Sequence, residues 1–66
     1  MSETLSQLAD EVGSIERRVS DVIFDAVRAQ LRDDEADEAH ELEKRLSRVR
    51  RSLQKAEGLL RGYDRD

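Results

Sequence analysis

Two apolar seams of the same spacing, separated by a short acidic stretch, restrict what this chain can fold into. In the first half, apolar residues recur at Leu5, Leu8, Val12, Ile15, Val19, Val22, Ala26 and Ala29. The steps alternate three and four residues, which draws one stripe along an α-helix. In the second half the stripe is Ala39, Leu42, Leu46, Val49, Leu53, Ala56, Leu60 and Tyr63, with the same alternation. The two are one residue out of phase, so a single continuous helix would break its seam in the middle. The break falls on Arg32-Asp33-Asp34-Glu35-Ala36-Asp37-Glu38, where the apolar pattern stops. A chain reversal there removes the conflict.

Reversal at Asp34 sets Leu5 opposite Tyr63, Leu8 opposite Leu60, Ile15 opposite Leu53, Val22 opposite Leu46 and Ala29 opposite Ala39. Each a position of one helix then meets a d position of the other, as an antiparallel coiled coil requires. The smallest layer lies beside the turn. Flanking charges agree: Glu16 faces Arg50, Asp25 faces Arg45 and Arg32 faces Glu38. Exposed pairs of this kind are worth about 0–1 kcal/mol each, so they specify register more than they stabilise. The fold expected is therefore all-α: an antiparallel two-helix coiled-coil hairpin formed by residues 1–66 as one domain. Helix 1 is placed at about 3–31, the turn at 32–35, helix 2 at 36–61 and a frayed tail at 62–66.

Local signals mark the ends. Ser2 or Thr4 suits a helix N-cap, and Thr4 with Gln7 has capping-box spacing. Asp33 or Asp34 suits the N-cap of the second helix, with Glu35, Asp37 and Glu38 supplying negative charge to its first turn. Gly62 suits a C-cap.

Such a hairpin needs more core than it has. Sixteen of the 24 hydrophobic residues lie on the seams, and four of the sixteen are alanine. A chain of 66 residues buries little of its own surface. Small scaffolds compensate with disulfides, metals or self-association. The absence of cysteine removes disulfides and thiolate metal sites. The expectation is a homodimer forming a four-helix bundle. A second stripe on helix 1 (Ser6, Ala9, Gly13, Glu16, Ser20, Ile23, Val27) is mostly small or apolar. Small side chains let another helix approach closely. With Phe24 and Leu31 extending it, this stripe gives the expected dimer or partner interface as Ala9, Gly13, Ser20, Ile23, Phe24, Val27 and Leu31. Helix 1 is then the inner helix and helix 2 the outer.

Composition narrows the function classes. Charged residues make up 42% and aromatic residues 3%, yet the apolar spacing is too regular for a disordered chain. No apolar run has the length of a membrane span, and no signal-peptide core follows Met1, so a soluble cytoplasmic protein is expected. A net charge of −4 speaks against general nucleic-acid binding but leaves room for a local basic patch. That patch is Lys44, Arg48, Arg51 and Lys55, one continuous stripe on the outer face of helix 2. It suits phosphates or an acidic protein surface, and equally a solvated face balanced by Glu41 and the acidic turn. No aromatic residue interleaves it, so the base-stacking signature of single-strand binders is missing.

Catalytic, cofactor and metal sites are not expected. Asp33, Glu35 and Asp37 alternate like the start of a calcium loop, but Glu38 stands where that loop needs glycine and Lys44 where it needs glutamate. His40 is the lone histidine. No nucleophile, base and orienting group can be assembled, and there is no glycine-rich phosphate loop.

In length, equal halves and the acidic turn Leu31-Arg32-Asp33-Asp34-Glu35-Ala36-Asp37, the chain resembles the Rop type of dimeric helical hairpin. That resemblance implies an antiparallel four-helix bundle able to bind RNA through helix 1. Helix 1 here has Arg17, Arg18, Arg28 and Arg32 and no basic row, so no functional residue is carried over.

The function expected is a non-enzymatic protein–protein interaction or assembly module, a small adaptor or regulator that pairs with itself or another helical protein. The alternatives are a nucleic-acid-binding regulator using the helix-2 stripe and a structural subunit of a larger complex.

Overall fold

The computed structural model describes residues 2–32 and 34–62. Two helices, α1 (Ser2–Ala29) and α2 (Ala36–Arg61), pack side by side in opposite directions. Helical propensity favours both: neither contains proline, and glycine interrupts α1 once, at Gly13, and α2 once, at Gly58. Glu3 near the start of α1, and Asp37 and Glu38 at the start of α2, complement the positive ends of the helix dipoles. Arg28 and Arg61 complement the negative ends.

The helix ends depart from expectation in detail. α1 already includes Ser2, so Thr4 lies inside the helix and does not cap it. At the other end α1 stops at Ala29, and residues 30–32 continue the chain in tighter turns. Leu31 N–H donates to Arg28 O and Arg32 N–H to Ala29 O, both at 3.1 Å. Such i→i−3 bonds narrow the helix as it ends. Leu31, 84% exposed, therefore belongs to the turn. The N-cap of α2 is Glu35, and no side-chain bond caps it. Asp34 lies in the turn ahead of it, and Asp33 falls outside the described residues. Here the main chain does the work: Glu35 N–H donates to Arg32 O at 3.2 Å, and Ala39 N–H donates to Glu35 O at 2.9 Å. Gly62 closes α2 in the left-handed conformation, with φ of 83°. Its N–H donates to Leu59 O at 3.1 Å, satisfying a carbonyl that would otherwise be orphaned.

The helices are rotated relative to the expected seam. Buried on α1 are Ala9, Gly13, Ile23 and Ala26, and on α2 Ala39. Ala9 is fully covered and Ile23 is 8% exposed. Leu5, Leu8, Ile15 and Val22, four of the eight residues on the first seam, remain exposed. α1 thus turns its second stripe toward α2, together with Val12, Val19 and Ala26. The physical cause is side-chain size. Ala9, Gly13 and Ser20 present little bulk on this side of α1, and at Gly13 the long side chain of Glu57 from α2 lies across the helix. A Cβ placed on Gly13 would meet Glu57 Oε2 at 3.2 Å.

The result is one layer of two helices, 50 × 22 × 10 Å. A layer two helices wide and one deep has two open faces, and the two differ in chemistry. Among the described residues no helix is long and apolar enough to cross a membrane.

Candidate interaction surface

One open face is apolar. Val22, Ala26 and Ala29 of α1 line a single groove with Ala39 and Leu42 of α2, and Asp25, Glu35 and Glu38 form its acidic edge near the turn. The groove places the d positions of both helices on the same side. Heptad spacing carries that side along the layer, through Ile15 and Leu8 on α1 and Val49 and Ala56 on α2. At the open end Leu5 and Leu60 line a common depression. Leu5, Leu8, Ile15, Val22 and Val49 are all exposed, while Leu42, Leu46, Leu53 and Leu60 are half-buried. The heptad seams thus form the floor of an open surface.

The opposite face is held by polar contacts across the hairpin. Arg61 Nη2 donates to Asp10 Oδ1 at 2.8 Å, and its Nε donates to Glu57 Oε2 at 3.1 Å. These bonds, Asp10 first and then Glu57, raise the Arg61 guanidinium further above its ordinary pKa, against a smaller opposing effect of burial. Gln54 Nε2 donates to Glu16 Oε2 at 3.0 Å, and Gln30 Nε2 donates to Glu43 Oε1 at 2.5 Å. Glu16 therefore meets Gln54, one helical turn beyond the Arg50 expected. The other two expected cross-helix pairs are replaced by local ones. Asp25 accepts from Arg28 one turn on, and Arg32 Nη1 lies 3.9 Å from Glu35.

The interface residues expected from the sequence divide into two groups. Ala9, Gly13 and Ile23 are buried and Ser20 is half-buried, all against α2 of the same chain. Within the hairpin these positions face α2 and leave little surface for an outside helix. Phe24 at 65% exposure, Val27 at 44% and Leu31 stand on the other flank of α1 near the turn. Two of them, Phe24 and Leu31, project well clear of the hairpin. Missing from the expected set are Leu8, Ile15, Val22 and Val49. One sign of them was present in the sequence. Helix 2 carries Glu43, Arg50 and Glu57 beside its seam, and their half-burial against α1 turns the seam outward.

Lys44, Arg48, Arg51 and Lys55 are all exposed, on the side of α2 turned away from α1. Lys44 Nζ lies 3.7 Å from Glu41 Oε2. Asp37, Glu38 and Glu41 share a shallow surface with Lys44, Arg45 and Arg48, so acids interleave this part of the stripe. His40 is exposed, its Nδ1 4.0 Å from Glu43 Oε1. No cluster of three or more metal-ligating side chains forms among the described residues.

No family model matches the chain, and no curated protein or solved structure does.

Proposed function

We propose that this hairpin is a non-enzymatic protein–protein interaction module, a small adaptor, assembly factor or regulator, and that it dimerises into a four-helix bundle. The observation that carries this reading is the one-layer build. Nine large hydrophobic residues, among those described, are at least 40% exposed. The accessible surface of 5440 Å² exceeds the roughly 4,300 Å² expected of a compact monomer of 7.6 kDa. The excess is of the order that one partner buries in a standard interface, about 800 Å². Helical layers are stable when a second layer covers the apolar side.

Light scattering across a concentration series tests the reading. The expected result is a mass of twice 7.6 kDa at tens of micromolar. A monomer throughout that range removes the homodimer and leaves binding to a different helical protein, which mass measurement of the complex from the native host would identify.

A second reading rests on the exposure of all four residues of the α2 stripe. In it, Lys44, Arg48, Arg51 and Lys55 contact nucleic-acid phosphates. It requires binding that weakens with salt and is lost in R48E/R51E. Binding indifferent to both removes the stripe from consideration.

A further inference from the structure

The seam face raises a question of arrangement. Two copies can cover each other's apolar face with their turns at the same end or at opposite ends. In the first case α1 lies over α2 of the second copy; in the second, α1 lies over α1. Both arrangements keep neighbouring helices antiparallel, so apolar packing alone does not separate them. The charged residues along the rim do.

Beyond Leu8, Ile15 and Val22, the outer rim of α1 carries Glu11, Arg18 and Asp25, and Arg32 follows in the turn. Beyond Leu42 and Val49, the rim of α2 carries Glu38, Arg45, Ser52 and Leu59. With turns together, the heights of the two copies match. Asp25 then meets Arg45 of the second copy, Arg32 meets Glu38, Arg18 meets Ser52 and Glu11 meets Leu59. Every pair occurs twice and no like charges meet. With turns apart and full overlap, Arg18 faces Arg18 and Glu11 faces Asp25. Relieving those clashes needs a slide of one heptad, about 10 Å. The slide that pairs Glu11 with Arg32 and Arg18 with Asp25 uncovers the apolar layers at the open end, including Leu5 and Leu8.

We infer that the occupant of the Leu8–Ile15–Val22/Leu42–Val49–Ala56 face is a second copy of this chain with its turn at the same end, aligned by Asp25–Arg45 and Arg32–Glu38 contacts between copies. The inference rests on the self-association proposed above and adds the face, the orientation and the register. The heptad layers then close between chains: Ile15 meets Leu53 of the second copy and Val22 meets Leu46.

The chain has no cysteine, so one nitroxide can be attached at a chosen site through a single introduced cysteine. Asp34 in the turn and Gln7 near the far end are both exposed. Pulsed dipolar spectroscopy on D34C and, separately, on Q7C reads the distance between copies. Layers pack about 10 Å apart, so same-end dimers place either pair of labels within roughly 30 Å. Opposite-end dimers separate the labels toward the full 50 Å length of the hairpin. Short distances at both sites support the inference. A dimer with long distances overturns the orientation and leaves self-association standing. A monomeric mass with no dipolar signal overturns both. As an independent arm, R45D weakens the dimer about tenfold and D25R/R45D restores it. A double variant no tighter than R45D overturns the Asp25–Arg45 contact.

Discussion

At the scale of single residues, Gly13 is the clearest case of a side chain chosen for closeness. Glycine inside a helix costs about 1 kcal/mol relative to alanine. The atoms a Cβ would meet belong to the flexible end of Glu57, at 3.2 Å from Oε2, so a small shift of that carboxylate makes room. G13A is therefore expected to raise the melting temperature, and G13L to lower it by forcing the helices apart; circular dichroism melts compare the two. Arg61 illustrates the opposite strategy, polar contact across the hairpin. Its pKa is raised by Asp10 and Glu57, so the folded state binds its proton more tightly than the unfolded chain does. That contribution is complete at neutral pH and fades only as strongly alkaline pH passes through the raised value. A titration of stability over the neutral and mildly alkaline range is expected to show no loss assignable to Arg61.

At the scale of the helices, the rotation of α1 predicts different outcomes for neighbouring apolar residues. Ile23 is buried against α2, and I23A is expected to cost about 2–4 kcal/mol in denaturant unfolding. Val27, four residues on, stands exposed on the flank with Phe24 and Leu31, away from the seam face, so V27D is expected to leave helicity and mass unchanged. From the sequence alone the two looked equivalent, because they share a stripe. What separates them is the left-handed drift of a straight stripe around a helix, which carries Val27 off the contact by the time the chain nears the turn. The turn itself was legible as a reversal, from the phase slip and the acids. Its chemistry was less so, since Glu35 precedes α2 without a side-chain cap and the main chain satisfies the turn. Glycine insertions among residues 30–35 are expected to be tolerated, at about 0.6 kcal/mol for each doubling of the loop. A helical heptad inserted there is expected to disrupt the hairpin; both are read in thermal melts.

At the scale of the whole molecule, a layer one helix deep cannot hide both sides of its apolar residues. If the seam face is covered by a second copy, stability depends on concentration, because a partner that binds the folded state shifts the unfolding equilibrium. The melting temperature is expected to rise with protein concentration. I15D/V22D is expected to abolish that dependence and lower the sedimentation coefficient, whereas I23D loses helicity at any concentration. The sequence by itself determined two helices, their reversal and their apolar periodicity, because those follow from local spacing and from the residues that interrupt it. Only tertiary structure decided which side of each helix faces the other. Spacing fixes a stripe's pitch but not its azimuth, which is set by how closely Ala9, Gly13 and Ser20 let the backbones approach and by the polar bridges from Asp10, Glu16 and Gln30 to α2.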